Sequence, residues 1–137
     1  MDKEIIKSWE ENKDRIREYI SKTEQSKYSS YKSLVKLIIK YVVNTKEKLY
    51  NEKKIRVVDS NGYHGIQIFL VPEIRYEVFK YLTTCVNYGS CSGCDTLISI
   101  QNYGLEIPSE EQVNDYMTLL LHLVQNIKII GESEKFI

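Results

Sequence analysis

Ile5, Trp9, Ile16 and Ile20 recur at steps of four and seven residues. That spacing puts them on one face of a helix predicted over residues 3 to about 22. Charged residues fill the other faces, so the apolar seam is narrow and suits packing against one partner. Residues 23–29 are polar, and Ser29 or Ser30 can cap the next helix. This second helix is expected to run to about residue 50. Its middle, from Leu34 to Val43, is apolar on nearly every side, which marks a buried helix.

The pattern then changes period. Ile55 to Asp59 is a short β-branched run, and Ser60-Asn61-Gly62 is a tight-turn signal. Tyr63 to Val71 reads as the return strand, with Ile66, Ile68 and Leu70 on one face, ended by Pro72. Ile74 to Asn87 reads as a third strand. Tyr88 to Asp95 contains two glycines and two serines and reads as a loop. Asp95 is positioned to cap a short helix reaching about Tyr103. The final helix has the clearest start: Ser109 and Gln112 form a Ser-x-x-Gln capping box. Glu110 and Glu111 complement the positive end of its dipole. Val113, Tyr116, Met117, Leu120, Leu121, Val124 and Ile127 continue its stripe, and Gly131 is a candidate terminator.

The expected architecture is one α+β domain over residues 1–137. A small antiparallel three-stranded sheet packs with two N-terminal helices and a long C-terminal helix, since so small a sheet needs helical cover. The apolar excess of the long helices also suggests a homo-oligomer formed through them. The chain has 137 residues, with 19 basic and 19 acidic side chains. That balance argues against a protein held to nucleic acid or anionic lipid by bulk charge. No apolar run is long enough to span a membrane, because Lys40 interrupts the longest. The charged N-terminal pattern does not resemble a signal peptide, and three cysteines do not suit a disulfide framework. These features together point to a cytoplasmic location.

The chemistry concentrates in few places. Cys91 and Cys94, spaced by Ser92 and Gly93, can bring two sulfurs to one side of a knuckle, as tetrahedral zinc requires. Cys85 and His64 are the remaining candidates for such a site. The same spacing serves redox dithiols, or simply small half-buried residues in a tight loop. Backbone N–H groups from Gly89 to Asp95 can also form an anion-binding nest. Arg56 and Arg75 are two of only four arginines, and arginine is shaped for paired contacts with phosphate. With Tyr63, His64, Ser90, Ser92, Gly93 and Asp95 they make a nucleotide-sized ligand set. Phe79, Tyr76 and Tyr81 are further candidates for stacking on a ring. His122, among leucines, reads as a satisfied, partly buried side chain. No phosphate-binding P-loop, dinucleotide fingerprint, zinc-protease pair or serine elbow is present.

Two stretches, Asn61-Gly-Tyr-His-Gly65 and Tyr88-Gly-Ser-Cys-Ser-Gly-Cys-Asp95, resemble a family of small proteins from bacteriophages, prophages and bacteria. The likeness covers residues 28 to about 100, and Ile66 stands where a further acidic residue is expected. The resemblance implies a small phage-type accessory protein in the host cytoplasm. Such proteins often inhibit host immunity; the anti-Thoeris sponges, which sequester cyclic ADP-ribose isomers, supply the analogy. The leading expectation is therefore a non-enzymatic binder that sequesters a small anionic ligand, such as a nucleotide second messenger, without a cofactor. The alternatives are a protein-interaction module with a structural zinc or packed cysteine loop, and a thiol enzyme using Cys91 or Cys94 with His64.

Overall fold

The computed structural model describes residues 3–59, 65–88, 96–102 and 104–131. Helix α1 (Lys3–Lys22) buries Trp9, Ile16 and Ile20. These are seam residues expected from their spacing. A 3-10 turn, Gln25–Tyr28, leads into α2 (Tyr31–Ile38). Ser30 is the cap: its hydroxyl accepts the Ser33 N–H at 3.1 Å, and the Ser33 hydroxyl accepts the Ser30 N–H at 3.1 Å.

The second helix stops short of residue 50. After Ile38 it widens into a π turn, Ile39–Val43, closed by the Asn44 N–H on the Ile39 carbonyl at 2.8 Å. Asn44 ends it. Its side-chain oxygen accepts the N–H groups of Leu49 (3.0 Å) and Tyr50 (3.1 Å), and its amide donates to the Tyr50 carbonyl at 2.7 Å. One side chain thus folds the next segment back, in competition with helical bonding.

Among the described residues the sheet has four strands, not three, in the antiparallel order β1-β2-β3-β4. These are β1 (Arg56–Asp59), β2 (Ile66–Pro72), β3 (Lys80–Asn87) and β4 (Lys128–Gly131). Between β3 and β4 lie α3 (Thr96–Gln101) and α4 (Glu110–Gln125). Gly131 therefore does not terminate the last helix. Asn126 caps α4, with its N–H on the His122 and Leu123 carbonyls at 3.2 Å, and Lys128 to Gly131 pair with Thr83 to Lys80. Ile127 falls in phase with the helical stripe, so periodicity overruns the boundary.

The third strand is likewise shorter than expected. Residues 74–79 form a loop closed by Glu73, whose carboxylate accepts the N–H groups of Phe79 (3.0 Å) and Lys80 (3.2 Å). Ile66, Ile68 and Leu70 do share a face, but it is the outer one. Phe69 and Val71 point inward with Leu82, Thr84 and Val86, all buried under the helices. Val58, Ile68 and Ile130 stand exposed on the other side.

The core carries a polar knot. Gln25, 2% exposed, accepts the Tyr116 hydroxyl at 2.7 Å, and its amide donates to the Glu106 carbonyl at 3.0 Å. The Tyr28 and Tyr116 rings meet edge-on at 5.0 Å. Burial pushes the Tyr116 phenol up to about 12, partly offset by a hydrogen bond with Gln101. Burial, then the Tyr116 and Tyr19 phenols, push Tyr28 up as well.

Stability should respond in three ways. Replacing the cap, Ser109→Ala, should cost about 1 kcal/mol in chemical denaturation. Tyr116→Phe orphans the Gln25 oxygen and should cost roughly 1–3 kcal/mol. Both phenols titrate higher folded than the usual 10 of an unfolded chain. The Tyr116 contribution is thus whole below pH 10 and lost as pH rises through about 12, and that of Tyr28 is lost at still higher pH. Thermal melts should show this alkaline loss, with a shallower slope in Tyr116→Phe; a flat profile from pH 9 to 12 would contradict it.

Candidate functional site

Two segments, residues 60–64 and 89–95, carry most of the residues expected to bind a ligand. The described residues on either side of each come together at one end of the sheet. Ile66 pairs with Asn87, and one residue outward the Tyr88 N–H meets the Gly65 carbonyl at 2.6 Å. Gly65 takes φ of 58°, in the left-handed region that glycine enters without a side-chain clash.

Asp59 joins them from β1. One carboxylate oxygen accepts the Tyr88 hydroxyl at 2.8 Å and the other accepts the Gln67 amide at 2.9 Å. The Tyr88 ring lies 6.3 Å from that of Tyr31, at the start of α2. The Tyr31 hydroxyl accepts the Leu97 N–H at 3.1 Å, within the first turn of α3. Tyr88 and Leu97, which bracket the 89–95 segment, are thereby held by α2 and β1. α3 is fixed further by the Gln101 amide on the Ser29 carbonyl (3.1 Å) and the Gln112 amide on the Ile100 carbonyl (2.8 Å).

A cleft of about 280 Å³ opens beside this anchor, between the end of β3, the start of α3 and the end of α4. β4 covers β3 only as far as Thr83, so the strand edge from Cys85 onward borders the cleft. Asn87, Thr96, His122, Gln125 and Asn126 supply its polar lining, and Val86, Leu119 and Leu123 the apolar part. His122 is exposed, contrary to the expectation of a half-buried side chain, because the adjacent Leu119, Leu120 and Leu123 take the buried face of α4. The Asn126 amide donates to the Cys85 carbonyl at 3.1 Å. The carboxamides offer both donors and acceptors, as does a neutral imidazole.

The expected site residues divide three ways. Tyr63, His64, Ser90, Cys91, Ser92, Gly93, Cys94 and Asp95 lie outside the described residues. Arg56 lies three residues upstream of Asp59, roughly 10 Å along β1, on the outer face opposite Leu70. Arg75 follows Glu73, past the Pro72–Tyr81 pair, roughly 20 Å from Asn87 at the other end of the sheet. The two arginines are therefore not brought to the anchored end. Cys85 borders the cleft through its backbone. Its side chain, opposite Ile68, belongs to the outer face, so strand alternation turns the thiol away from His122. Among the described residues no group of three or more His, Cys, Asp or Glu is placed to hold a metal ion. Tyr76, Phe79 and Tyr81 lie toward the Arg75 end.

Sequence reasoning missed Asp59, Tyr31, His122, Asn87, Gln125 and Asn126. Asp59 had one visible signal, a carboxylate ending a β-branched run just before an Asn-Gly turn. The others gave none, since their roles arise from contacts across as many as 66 positions, as between Tyr31 and Leu97. A second groove, of about 360 Å³ between α1 and α4, has buried Trp9 at its floor and mixed charges at its rim. It is not continuous with this site.

No helix among the described residues is long and apolar enough to cross a membrane. Comparison with protein-family models, with curated proteins and with solved structures finds no match to this chain.

Proposed function

We propose that the anchored end of the sheet binds and sequesters a small anionic ligand of the nucleotide class, without converting it. The observation that carries this reading is the 2.6 Å bond between Tyr88 and Gly65, which brings the roots of both motif-bearing segments beside one cleft. Each part has a chemical use. Backbone N–H groups of the Gly-Ser-rich stretch 89–95 suit a phosphate. The carboxamides of Gln125 and Asn126 match the donor and acceptor pattern of a nucleobase edge. Asp59, with both oxygens engaged, holds the roots in place before a ligand arrives, and pre-formed contacts are what a sequestering protein needs. The phage-type, counter-defence setting rests on the resemblance of Tyr88-Gly-Ser-Cys-Ser-Gly-Cys-Asp95 to small phage proteins. Arg56 and Arg75 take no part in this site.

A thermal-shift panel of mono-, di- and cyclic nucleotides tests the reading. A ligand at 100 times its Kd should add about 2.7 kcal/mol and raise Tm by several degrees. Tyr88→Phe keeps the ring but removes the hydroxyl that one Asp59 oxygen accepts. It should cost about 1 kcal/mol without ligand and weaken the ligand-dependent shift as well. Cys91→Ser and Cys94→Ser should leave the shift nearly intact. Mass spectrometry of small molecules released from the purified chain should identify the ligand. Nothing released and no shift across the panel would sink the proposal; turnover of the added nucleotide would replace it with an enzyme.

A further inference from the structure

The opposite end of the sheet departs from the usual surface pattern. Loops are ordinarily polar, and isolated exposed apolar residues need no explanation. Here the six-residue loop 74–79 exposes Ile74, Tyr76, Val78 and Phe79, with Tyr76 at 103% relative exposure, and Leu49 stands exposed beside it. The Ile74 N–H bonds the Leu49 carbonyl at 2.9 Å, which sets Leu49 beside the loop.

The loop is braced. The Glu73 N–H bonds the Lys80 carbonyl at 3.2 Å, and its carboxylate accepts the Phe79 and Lys80 N–H groups. Tyr50 bridges to Glu73. The Arg75 guanidinium lies 5.5 Å from the Phe79 ring centre and 3.8 Å from the Glu73 carboxylate. The bracing fixes the loop's backbone before binding, which lowers the ordering cost of docking there.

Charge selects the occupant. The whole chain is neutral, yet this end exposes Lys46, Lys48, Lys53, Lys54, Arg56, Arg75 and Lys80 against Glu47, Glu77 and a partly exposed Glu52. Glu73 is committed to closing the loop. A second copy of the chain would set these cations against their own images, which is unfavourable. Tyr and Arg are also the residues that most often dominate binding energy at protein interfaces.

We propose that the loop 74–79 end of the sheet, with Leu49 and the surrounding cations, is a docking surface for an acidic, apolar-bearing segment of another protein. Tyr76 and Phe79 provide its apolar anchor, and Arg75 pairs with a partner carboxylate. This surface lies at the other end of the sheet from the proposed ligand site, so each can fail without the other.

The test is selection from a phage-displayed library of random 12-residue peptides against the full-length chain, then fluorescence polarisation of synthetic winners. Enriched peptides should combine Asp or Glu with aromatic or aliphatic residues, and their affinity should fall as salt rises. Tyr76→Ala and Arg75→Glu should each weaken binding about tenfold or more. Tyr76 is fully exposed, so Tyr76→Ala should leave melting temperature and nucleotide response unchanged. Arg75 also faces Glu73, so the binding loss of Arg75→Glu counts only where the loop's stability is retained in the melt. No enrichment, enrichment without acidic residues, or indifference to both variants would overturn the proposal. Three other results would also overturn it by naming another occupant. One is a concentration-dependent dimer that Tyr76→Ala abolishes in light scattering. Another is Tyr76-dependent binding to phosphatidylglycerol vesicles with no peptide selected. The last is a tenfold gain in peptide binding on Glu132→Lys/Glu134→Lys, which would assign the surface to the chain's own last residues.

Discussion

The α2 helix and its π extension have almost no solvent side. Leu34, Val35, Leu37, Ile38, Ile39 and Val42 are all buried, so this short segment must be covered from several directions at once. α1 packs on the π turn and α4 on α2, while the inner face of the sheet joins the same core. Burying that many large aliphatic side chains is worth on the order of 10 kcal/mol, and the remaining elements are arranged around it. One consequence is asymmetry: the helices gather on one face of the sheet and leave the other with Val58, Ile68 and Ile130 in solvent.

Within this apolar interior, tyrosines do polar work. Tyr28 places its hydroxyl 3.0 Å from the Ile20 and Thr23 carbonyls, at the end of α1. Tyr116 answers Gln25, and Tyr31 receives the Leu97 N–H. Each phenol buries a large ring while its tip satisfies a backbone or amide group that would otherwise be stranded. Some of the chain's 11 tyrosines are therefore structural links between elements distant in sequence.

The two ends of the sheet differ in character. At one, hydrogen bonds among Asp59, Gly65, Tyr88 and Gln67 hold the roots of two segments, and a polar cleft lies alongside. At the other, Glu73 braces a loop that turns apolar side chains outward among lysines and arginines. The strands between them keep the two ends about 20 Å apart.

Local patterns in the chain were enough for α1, for the Ser30 and Ser109 caps, for a buried second helix, and for the antiparallel succession of β1, β2 and most of β3. Each depends on spacing or on contacts within a few residues. Tertiary structure decided the rest. Asn44 stopped the second helix by capturing Leu49 and Tyr50; Glu73 turned an expected strand into a loop; and Lys128 to Gly131 became a strand because β3 had an open edge to pair with. The candidate site divides in the same way. The glycine-rich stretch after Tyr88 was legible, but its nearness to Asp59, the loss of Arg75 to the far end and the outward turn of His122 were not. Periodicity reports which face of an element is apolar. Which strand lies beside which, and which apolar face is left uncovered, depends on pairings between distant residues that no local pattern encodes.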